Sequence, residues 1–438
     1  MKKDSKIAIL GYGTEGKSTE KYLLKHGFSN ITVLDENSKI ESKSKQITGK
    51  NIWEYLDDFD FIFRSPGISP LRKELKLVGN KLTSNTELFF DKCPAPIIGV
   101  TGTKGKGTTS SLMYKIIENS GKKCFLGGNI GTPPLDFLDK IKKEDYVVLE
   151  LSSFQTFTLN KSPYIAVILM VTSEHLDYHK DTDEYREAKS QLVKNQIETD
   201  YCIFHKDFKS SQEIAEKSKG IKIPFSPKKD IVDDMLYYKK EAIINVKDIA
   251  LIGEHNWNNV LASIHVAKVL DISNDVIIKT VKEFTGLPLR LEKIAEKNGI
   301  TFINDSFSTT PETSIAAINS FPNDNIAIML GGGNKNSNFS ELAKLISNND
   351  KIFSVCLGET GEEIENEIIK NGGSNMKRVF KFDDAFNECI RHLEKIGGIC
   401  LLSPACTSFD QFDNYKERGK RFNELIDLYK NKESYNND

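Results

Sequence analysis

The feature that most constrains the fold of this chain is a strand, a glycine-rich loop and a helix in direct succession near residue 100. An apolar run at 95–100 passes into GVTGTKGKGT (99–108), and a helical pattern follows as far as residue 121. Glycines let the backbone wrap around phosphate oxygens, and N–H groups at a helix start face the anion. Lys106 supplies a cation for a transferred phosphate, and a hydroxyl just beyond it can bind Mg²⁺. The order of elements predicts a nucleotide-phosphate loop rather than a turn without a ligand.

Two further segments also combine apolar strands with a glycine-rich loop. One begins KIAILGYGTEGKSTEKYLLKHG and continues into ITVLD, and the other runs from LRLEKIAEKNGITFINDS to NIAIMLGGGNK. Runs such as IIGV and IAIML are continuously apolar, as expected for parallel strands covered by helices on both faces. Helical stretches alternate with them, which predicts an α/β fold throughout. Turn residues cluster in KCPAP and TGLPLR, so we expect three domains, at 1–93, 94–288 and 289–438.

Composition limits the possible partners and the compartment. Sixty basic residues against 62 acidic ones give a net charge of −2, which argues against a nucleic-acid or membrane-surface partner. The apolar run near the N-terminus is broken at Gly11 and Gly13, so it indicates a first strand rather than a signal peptide. No run approaches the length of a membrane span. The seven cysteines are scattered without a CxxC pair, which favours reduced thiols in a cytoplasmic protein.

The first segment carries the pattern Gly11-x-Gly13-x-x-Gly16, and Asp35 closes the next strand. This spacing is that of a dinucleotide-binding fingerprint. Any nucleotide diphosphate can use the same helix N-terminus, so the pattern alone does not distinguish NAD from other ligands. Asp35 is equally consistent with a polar residue at a strand end.

The middle segment carries acidic and imidazole groups suited to a hard metal ion. Glu150 ends the strand YVVLE, and AVILMV leads into TSEHLDYH (172–179). Groups just past the carboxyl end of a parallel strand lie at the ligand-binding edge of the sheet. His179 follows His175 by four residues, but no further ligands have zinc-site spacing. We therefore expect His179 to be structural.

The motifs together resemble those of the Mur ligase family, in particular its D-glutamate-adding members, over nearly the whole chain. The resembling motifs are SPGIS (65–69), GTKGKGT, GGNIGTP (127–133), LELSSFQ (149–155), VTSEHLDYHKDTDEYREAK, LIGEHNWNN (251–259), LPLRLE with FINDS (302–306), LGGGNK (330–335) and LLSPACTSFDQF (401–412). The resemblance implies a Rossmann-like UDP-binding domain, a P-loop ATPase domain and a Rossmann-like amino-acid-binding domain. It implies an ATP-dependent, monomeric enzyme of peptidoglycan precursor synthesis that joins D-glutamate to UDP-N-acetylmuramoyl-L-alanine through an acyl phosphate.

The resemblance also assigns residues to each part of the site. Catalytic roles are implied for Lys106, Glu150, His175 and Lys189. Two Mg²⁺ ions are implied on Thr108, Glu150, His175 and Lys189. Lys189 would be carbamylated, which needs a neutral amine and therefore suggests partial burial. ATP contacts are implied for Gly102, Thr103, Lys104, Gly105, Lys106, Gly107, Thr108, Asn256, Asn259, Arg290 and Asp305. UDP-substrate contacts are implied for Gly13, Thr14, Glu15, Asp35, Ser65, Gly67, Asn129 and His175. Amino-acid contacts are implied for Thr309, Lys335, Ser408, Phe409 and Tyr415.

Two positions depart from the family pattern. Gly107 stands where a Ser or Thr usually follows the loop lysine, and this GKGT order resembles folylpolyglutamate synthases. Phe307 stands where D-glutamate ligases commonly have lysine. A folylpolyglutamate synthase-like ligase is one alternative, although that family lacks the first domain and the SPAC-SFDQF segment. An NAD-dependent oxidoreductase is another, but it leaves the phosphate loop and the metal residues unexplained.

Overall fold

The computed structural model describes residues 1–172, 178–335 and 337–431. The chain forms two compact units, one of Met1–Ile249 with Trp257–Phe284 and the other of Ala250–Asn256 with Thr285–Asp438. Short 3₁₀ helices connect several elements of the first unit, at Lys50–Asp58, Gly79–Lys81, Pro134–Asp136, Leu138–Lys140 and Val246–Asp248.

The first unit begins with a parallel five-stranded sheet. Its strands are β1 (Ile7–Leu10), β2 (Ile31–Asp35), β3 (Lys45–Thr48), β4 (Phe61–Arg64) and β5 (Leu82–Thr83), and its helices are α1 (Thr14–Lys25), α2 (Lys73–Leu77) and α3 (Asn85–Lys92). The strand order is β3-β2-β1-β4-β5. The order reverses at β1, so the loops after β1 and β4 meet at the edge where such sheets bind ligands.

A second parallel sheet has six strands and carries the phosphate loop. Its strands are β6 (Ile97–Thr101), β7 (Cys124–Gly128), β8 (Tyr146–Glu150), β9 (Ile165–Ile168), β10 (Tyr201–His205) and β11 (Ile221–Phe225), and its helices are α4 (Lys106–Asn119), α5 (Ser153–Thr156), α6 (Thr182–Lys194) and α7 (Lys209–Glu216). The order is β11-β10-β9-β6-β8-β7. β6 therefore lies between β8 and β9, and the loop after β6 emerges at the centre of the sheet.

A small antiparallel sheet follows, which the sequence analysis did not predict. Its strands are β12 (Ile231–Val232), β13 (Met235–Tyr238) and β14 (Glu241–Asn245), and the short helix α8 (Pro227–Asp230) precedes them. Asp233 and Asp234 both have positive φ, as a tight hairpin turn with right-handed twist requires. Aspartate tolerates this conformation better than most residues. Helices α9 (Asn256–Val269) and α10 (Asn274–Glu283) come next along the chain, and α10 packs on α4.

The second unit is built on a six-stranded sheet with one antiparallel edge. Its strands are β15 (Glu292–Lys297), β16 (Ile300–Asn304), β17 (Ile326–Gly331), β18 (Ile352–Leu357), β19 (Met376–Arg378) and β20 (Gly398–Leu402), and its helices are α11 (Pro311–Asn319), α12 (Ser340–Ser347), α13 (Gly361–Lys370), α14 (Phe382–Leu393) and α15 (Tyr415–Asn431). The order is β15-β16-β20-β17-β18-β19, and β15 pairs antiparallel with β16. Apolar clusters cover both faces of this sheet.

The α/β prediction is confirmed, and the apolar runs chosen as strands are β1, β2, β6, β8, β9, β16 and β17. The antiparallel β15 differs from the expectation of parallel strands alone. Asn298 and Gly299 both have positive φ, and this two-residue turn folds β16 directly back on β15. The division into three domains at residues 93 and 288 stays a prediction.

Candidate active site

The loop between β6 and α4 has the geometry of an anion cradle. Gly105 caps α4 with a φ of +83°, and a Cβ at this position would overlap the Oδ1 atom of Asn259. The Nζ atom of Lys106 donates hydrogen bonds to the carbonyl oxygens of Gly102 at 3.1 Å and Thr103 at 2.9 Å. The lysine thus folds back over the loop and places positive charge at the start of α4, where the helix dipole already favours an anion.

Glu150 lies beside this loop because β8 pairs with β6. Val100 and Glu150 are partners in the parallel register, and the Leu151 N–H donates to the Val100 carbonyl at 2.9 Å. The Glu150 side chain is 6% exposed, and Asn129 donates its side-chain amide to Oε1 at 3.2 Å. A buried carboxylate needs compensating charge or hydrogen bonds. Its location at the sheet edge next to a phosphate loop fits a metal ligand.

Helix α6 contacts the phosphate loop through two side chains. Lys189 is 1% exposed, and its Nζ atom donates to the Gly102 carbonyl at 2.9 Å. Tyr185, one turn earlier, places its hydroxyl 3.0 Å from Thr103 Oγ1 and its ring 4.5 Å from Lys189 Nζ. Sequence analysis missed Tyr185. Its spacing of four residues from Lys189 could have found it, since residues i and i+4 share one helix face.

The residues expected to hold Mg²⁺ supply suitable donors. Thr108 lies in the first turn of α4 and is buried, and Glu150 offers carboxylate oxygens. Hydroxyl and carboxylate oxygens beside nucleotide phosphates are the ligands that Mg²⁺ prefers. Within residues 1–172, 178–335 and 337–431, no three His, Cys, Asp or Glu side chains group closely enough to hold a metal by themselves. Of the other two expected ligands, Lys189 donates its amine to the Gly102 carbonyl, and His175 lies outside the described residues.

His179 is placed in the interior as a hydrogen-bonded histidine. Its Nε2 atom lies 2.9 Å from Ser153 Oγ and its Nδ1 atom 3.3 Å from Glu184 Oε1. The ring stacks on Phe157 at 5.6 Å. These contacts fit the structural role expected for it.

Two asparagines of α9 were expected on the adenine side of ATP. Asn259 accepts a hydrogen bond from Thr109 Oγ1 at 2.9 Å, which joins α9 to the first turns of α4. Asn256 is buried, and its Nδ2 atom donates to the Ile252 carbonyl at 2.7 Å. Asn259 is thus linked to α4 directly after the phosphate loop, and Lys104 is the exposed residue of that loop.

A cavity of about 480 Å³ opens at the reversal point of the first sheet. Among its walls are Gly11, Asp35 and Gly67, together with Tyr178 from the segment before α6. The Asp35 carboxylate accepts hydrogen bonds from the backbone N–H groups of Tyr12 at 2.6 Å and Asn37 at 2.8 Å. It therefore organises the loop after β1 and also faces the cavity.

The remaining residues expected to contact UDP surround this reversal point. Gly13 and Thr14 are exposed at the start of α1, and Ser65 Oγ donates to the Gly11 carbonyl at 2.7 Å. Glu15 accepts a hydrogen bond from Gln155 Nε2 at 2.6 Å. Burial raises the pKa of the Glu15 carboxyl, and Arg64 nearby opposes that rise.

Arg64 is a buried residue that sequence analysis missed. Its guanidinium donates to the Ile68 carbonyl at 2.6 Å, to the Phe154 carbonyl at 2.9 Å and to the Tyr178 hydroxyl at 3.1 Å. It thereby connects the SPGIS loop to helix α5 and to the segment before α6. Burial lowers the pKa of this arginine. The signal in the sequence was a charged residue ending the apolar strand FIFR, where an exposed side chain is not expected.

In the second unit, the loops after β17 and β20 lie side by side. The Gly333 N–H donates to the Thr407 carbonyl at 3.0 Å, and Thr407 Oγ1 donates to the Gly333 carbonyl at 2.9 Å. Two residues beyond Gly333, Lys335 is exposed, whereas Ser408 is buried and Phe409 exposed. The pairing brings together the loops that carry three of the five residues expected to contact the amino acid.

Arg418 connects these loops to the end of β16, and sequence analysis missed it too. It is buried in α15 and donates to the carbonyls of Cys406 at 3.1 Å, Thr407 at 2.9 Å and Ser306 at 3.0 Å. Burial lowers the pKa of Arg418 to about 10. No local pattern distinguishes this arginine from the exposed basic residues of the same helix.

Asp305 is held by three donors at the carboxyl end of β16. It accepts from Ser308 Oγ at 2.5 Å, Ser403 Oγ at 2.7 Å and the Leu291 N–H at 3.1 Å. Burial raises the pKa of Asp305 to about 6. The three hydrogen bonds and the positive charge of Arg290 nearby lower the pKa and so oppose this effect. Of the remaining expected residues, Thr309 and Tyr415 are half-buried.

Two parts of the chain match described protein families. Residues 100–267 match the Mur ligase middle domain, and residues 289–406 match the Mur ligase glutamate ligase domain. The chain belongs to the Mur ligase family.

Relatives with curated names show which member of the family this chain is most similar to among those compared. A protein of Acetivibrio thermocellus is 36% identical over 97% of this chain and 96% of its own length. One of Clostridium novyi is 34% identical over 97% of each chain. Both are named UDP-N-acetylmuramoylalanine--D-glutamate ligase. The chain is accordingly an ATP-dependent ligase of peptidoglycan precursor synthesis.

Solved structures agree on the fold. MurF from Acinetobacter baumannii covers 95% of this chain and 91% of its own with a TM-score of 0.61 and 17% identity. UDP-N-acetylmuramate-alanine ligase MurC from Thermotoga maritima covers 97% of this chain and 100% of its own with a TM-score of 0.59 and 17% identity. None of the helices within the described ranges has the length and apolar character that crossing a membrane requires.

Proposed function

We propose that this chain joins D-glutamate to UDP-N-acetylmuramoyl-L-alanine, with conversion of ATP to ADP and phosphate. The observation that carries the proposal is the near-full-length identity of 36% to a relative named for this reaction. The buried Glu150 beside the phosphate loop and the paired loops at Gly333 and Thr407 support it. The folylpolyglutamate synthase-like and NAD-dependent alternatives have no comparable support.

The proposed reaction begins with activation of the alanyl carboxylate. A carboxylate oxygen attacks the γ-phosphorus of ATP, the bond to the β–γ bridging oxygen breaks, and ADP leaves. Lys106 neutralises charge on the transferred phosphoryl group, which develops on its oxygens in the transition state. Thr108 and Glu150 would hold Mg²⁺, which supplies the positive charge that brings two anions together.

The second step forms the amide. The glutamate nitrogen attacks the acyl carbon and loses a proton, and the tetrahedral intermediate expels phosphate with the original carboxylate oxygen. We propose that Lys335 pairs with a glutamate carboxylate, that Thr309 and Ser408 donate hydrogen bonds, and that Phe409 and Tyr415 form the wall. The exposure of Lys335 beside the loop of Ser408 supports this assignment.

The proposal also covers the second Mg²⁺ site and the residues that contact ATP. We propose a second Mg²⁺ on Glu150, His175 and a carbamylated Lys189, formed when the neutral amine adds CO₂ and releases a proton. Burial of Lys189 beside the phosphate loop supports this, since burial disfavours a charged amine. We further propose that ATP contacts residues 102–108. Its remaining contacts would be Asn256, Asn259, Arg290 and Asp305.

The UDP-substrate is proposed to occupy the cavity at the reversal point of the first sheet. Its contacts would be Gly13, Thr14, Glu15, Asp35, Ser65, Gly67, Asn129 and His175. We also propose a cytoplasmic enzyme that works as a monomer on small molecules. The seven free thiols support a reducing compartment.

The test is phosphate release from ATP in the presence of UDP-N-acetylmuramoyl-L-alanine and one amino acid at a time. We expect release with D-glutamate, and much less with L-glutamate or with D-alanine, which lacks a side-chain carboxylate. Preference for an amino acid without that carboxylate would contradict the proposed substrate.

A further inference from the structure

Arg72 and Trp53 form a stacked pair on the wall of the cavity at the reversal point of the first sheet. The guanidinium carbon of Arg72 lies 3.9 Å from the centroid of the Trp53 ring. Arg72 follows the SPGIS loop and directly precedes α2, and Trp53 lies in the 3₁₀ helix Lys50–Asp58. Two segments that follow different strands of one sheet thus meet on one cavity wall.

The charges on this wall limit which part of a nucleotide it can bind. Asp35 and Glu36 contribute carboxylates, and Arg72 is the one basic residue among the walls that belong to the described part of the chain. Two carboxylates repel a diphosphate, whereas an uncharged base is not repelled. The wall therefore fits the base of a nucleotide better than its phosphates.

The loop after β1 determines the direction in which a nucleotide would lie. In sheets of this kind the diphosphate binds at the N-terminus of the helix after the first strand, and an acidic residue near the end of the next strand binds the ribose. Here α1 begins at Thr14, and Asp35 ends β2. Trp53 and Arg72 share the cavity wall with Asp35. A base attached to a ribose at Asp35 would therefore face the stacked pair.

Stacking on Trp53 leaves the Arg72 guanidinium able to donate hydrogen bonds. A guanidinium that stacks on an aromatic ring uses its flat face and keeps its N–H groups in the plane. The Nε atom of Arg72 lies 3.6 Å from Glu74 Oε2, which is longer than a hydrogen bond, and the Arg72 side chain is 42% exposed. Trp53 is itself held by Glu36, because its Nε1 atom donates to Glu36 Oε1 at 3.0 Å. Trp53 thus restrains Arg72 without using its donors.

We infer that Arg72 binds the uracil base of the UDP-substrate by donating hydrogen bonds to its carbonyl oxygens, and that Trp53 positions the guanidinium. The inference rests on the proposed occupation of this cavity by the UDP-substrate. Unstacked bases are commonly bound by arginine through hydrogen bonds to their edges. Neither Arg72 nor Trp53 is among the UDP contacts that the family resemblance implies.

The experiment compares the binding of UDP and of uridine to the full chain, UDP by calorimetry and uridine by competition with UDP. We expect Arg72→Ala to weaken both ligands by the same factor, about tenfold, the loss when a hydrogen bond from a charged donor is removed. Arg72→Lys keeps the charge but not the planar fork, and should lose nearly as much. Lys73→Ala, at the adjacent exposed basic residue, is the matched control and should bind as wild type does. Thermal melting curves establish that each variant is folded.

The two ligands separate a contact to the base from a contact to the phosphates. A loss with UDP but not with uridine would assign Arg72 to the diphosphate, and unchanged binding of both would exclude it from the site. An equal loss in Lys73→Ala would indicate general charge attraction. Each of these results overturns the inference. A wild-type chain that binds neither UDP nor UDP-N-acetylmuramoyl-L-alanine would contradict the proposed function, and this inference with it.

Trp53 is tested by its fluorescence and by its dependence on Arg72. The chain has two tryptophans, so Trp257→Phe leaves Trp53 as the single one. Uridine should then change the emission and saturate at the dissociation constant measured by competition. Trp53→Leu should weaken uridine binding about two- to fivefold, the range for an exposed cation–π contact. In an Arg72→Ala background it should cause no further loss. Emission unchanged by uridine, or an equal loss without Arg72, would contradict the positioning role.

Discussion

The Nζ atom of Lys189 donates a 2.9 Å hydrogen bond to the carbonyl oxygen of Gly102, the second residue of the TGTKGKGT sequence. A buried lysine on α6 is thereby attached to the backbone that would surround the ATP phosphates. The neighbouring Tyr185 contacts Thr103 of the same loop. The hydrogen bond holds Lys189 against the loop proposed to bind phosphate, and it motivates the first prediction.

Lys189→Ala should be nearly inactive, because the proposed carbamate oxygens that hold the second Mg²⁺ are removed. Formate or acetate in the buffer should restore part of the turnover by supplying carboxylate oxygens in the vacated space. Lys194→Ala is the control, since Lys194 lies on the same helix and pairs with Glu187 at the surface. Phosphate release is the measurement, and an active Lys189→Ala enzyme would contradict the carbamate proposal.

Substitutions in the phosphate loop should separate charge from metal binding. Lys106→Ala should reduce turnover by about 10²-fold or more, the usual loss when a preorganised electrostatic contact is removed. Thr108→Ala should lose Mg²⁺-dependent turnover, whereas Thr108→Ser keeps the hydroxyl and should retain most activity. Rates are measured across a Mg²⁺ titration. Near-normal rates for Lys106→Ala and Thr108→Ala would show that these loop residues are not needed for turnover.

Lys335→Ala should raise the KM for glutamate about ten- to a hundredfold, the equivalent of a charge-assisted contact of ~1.5–3 kcal/mol. The KM for ATP should change little. Lys344→Ala, at another exposed lysine of the second unit, should alter neither constant. The KM is measured by steady-state kinetics at varied glutamate concentration. An unaltered KM for glutamate would show that Lys335 is only a solvated surface residue.

Glu87 should make stability depend on pH near neutrality. Its side chain is 7% exposed in α3, and burial, together with Asp91, raises its pKa to about 7 from 4.5. Because the folded-state pKa is raised, the stability that Glu87 contributes is fully present below pH 4.5 and is lost as pH rises through 7. We expect a loss of about 2 kcal/mol relative to Glu87→Gln by pH 8.

Urea denaturation of wild type and Glu87→Gln at pH 5 and pH 8 measures this difference. Glu216→Gln, at an exposed position of α7, should track the wild type at both values. A difference between wild type and Glu87→Gln that stays constant from pH 5 to pH 8 would show that Glu87 does not titrate in this range.

Sequence patterns predicted the parts of the fold that are determined by residues close together in the sequence. The apolar runs of β1, β6 and β9 are long enough and uniform enough to indicate buried parallel strands. The glycines after β6 fall where the backbone must bend between a strand and a helix. The positions of Lys106 and Glu150 follow from these elements, because each lies just beyond or at the carboxyl end of a central strand.

The buried polar contacts could not be predicted in the same way. Arg64 and Arg418 bind carbonyl groups far away in the sequence, 90 residues for Phe154 and 112 for Ser306. Their partners become visible only when distant loops meet in the folded chain. The positive φ of Leu289 and Leu291 has no signature in residue type either, since leucine is among the residues least expected there.

The most direct test of the account uses UDP-N-acetylmuramoyl-L-alanine labelled with ¹⁸O in its carboxylate, with ATP, Mg²⁺ and D-glutamate. Mass spectrometry of the products reads both the amide and the isotope content of the phosphate. We predict the D-glutamyl amide and one ¹⁸O atom in each phosphate released, because the carboxylate oxygen departs with the phosphoryl group. Amide formation with unlabelled phosphate would contradict the acyl phosphate, and absence of the D-glutamyl amide would contradict the proposed function.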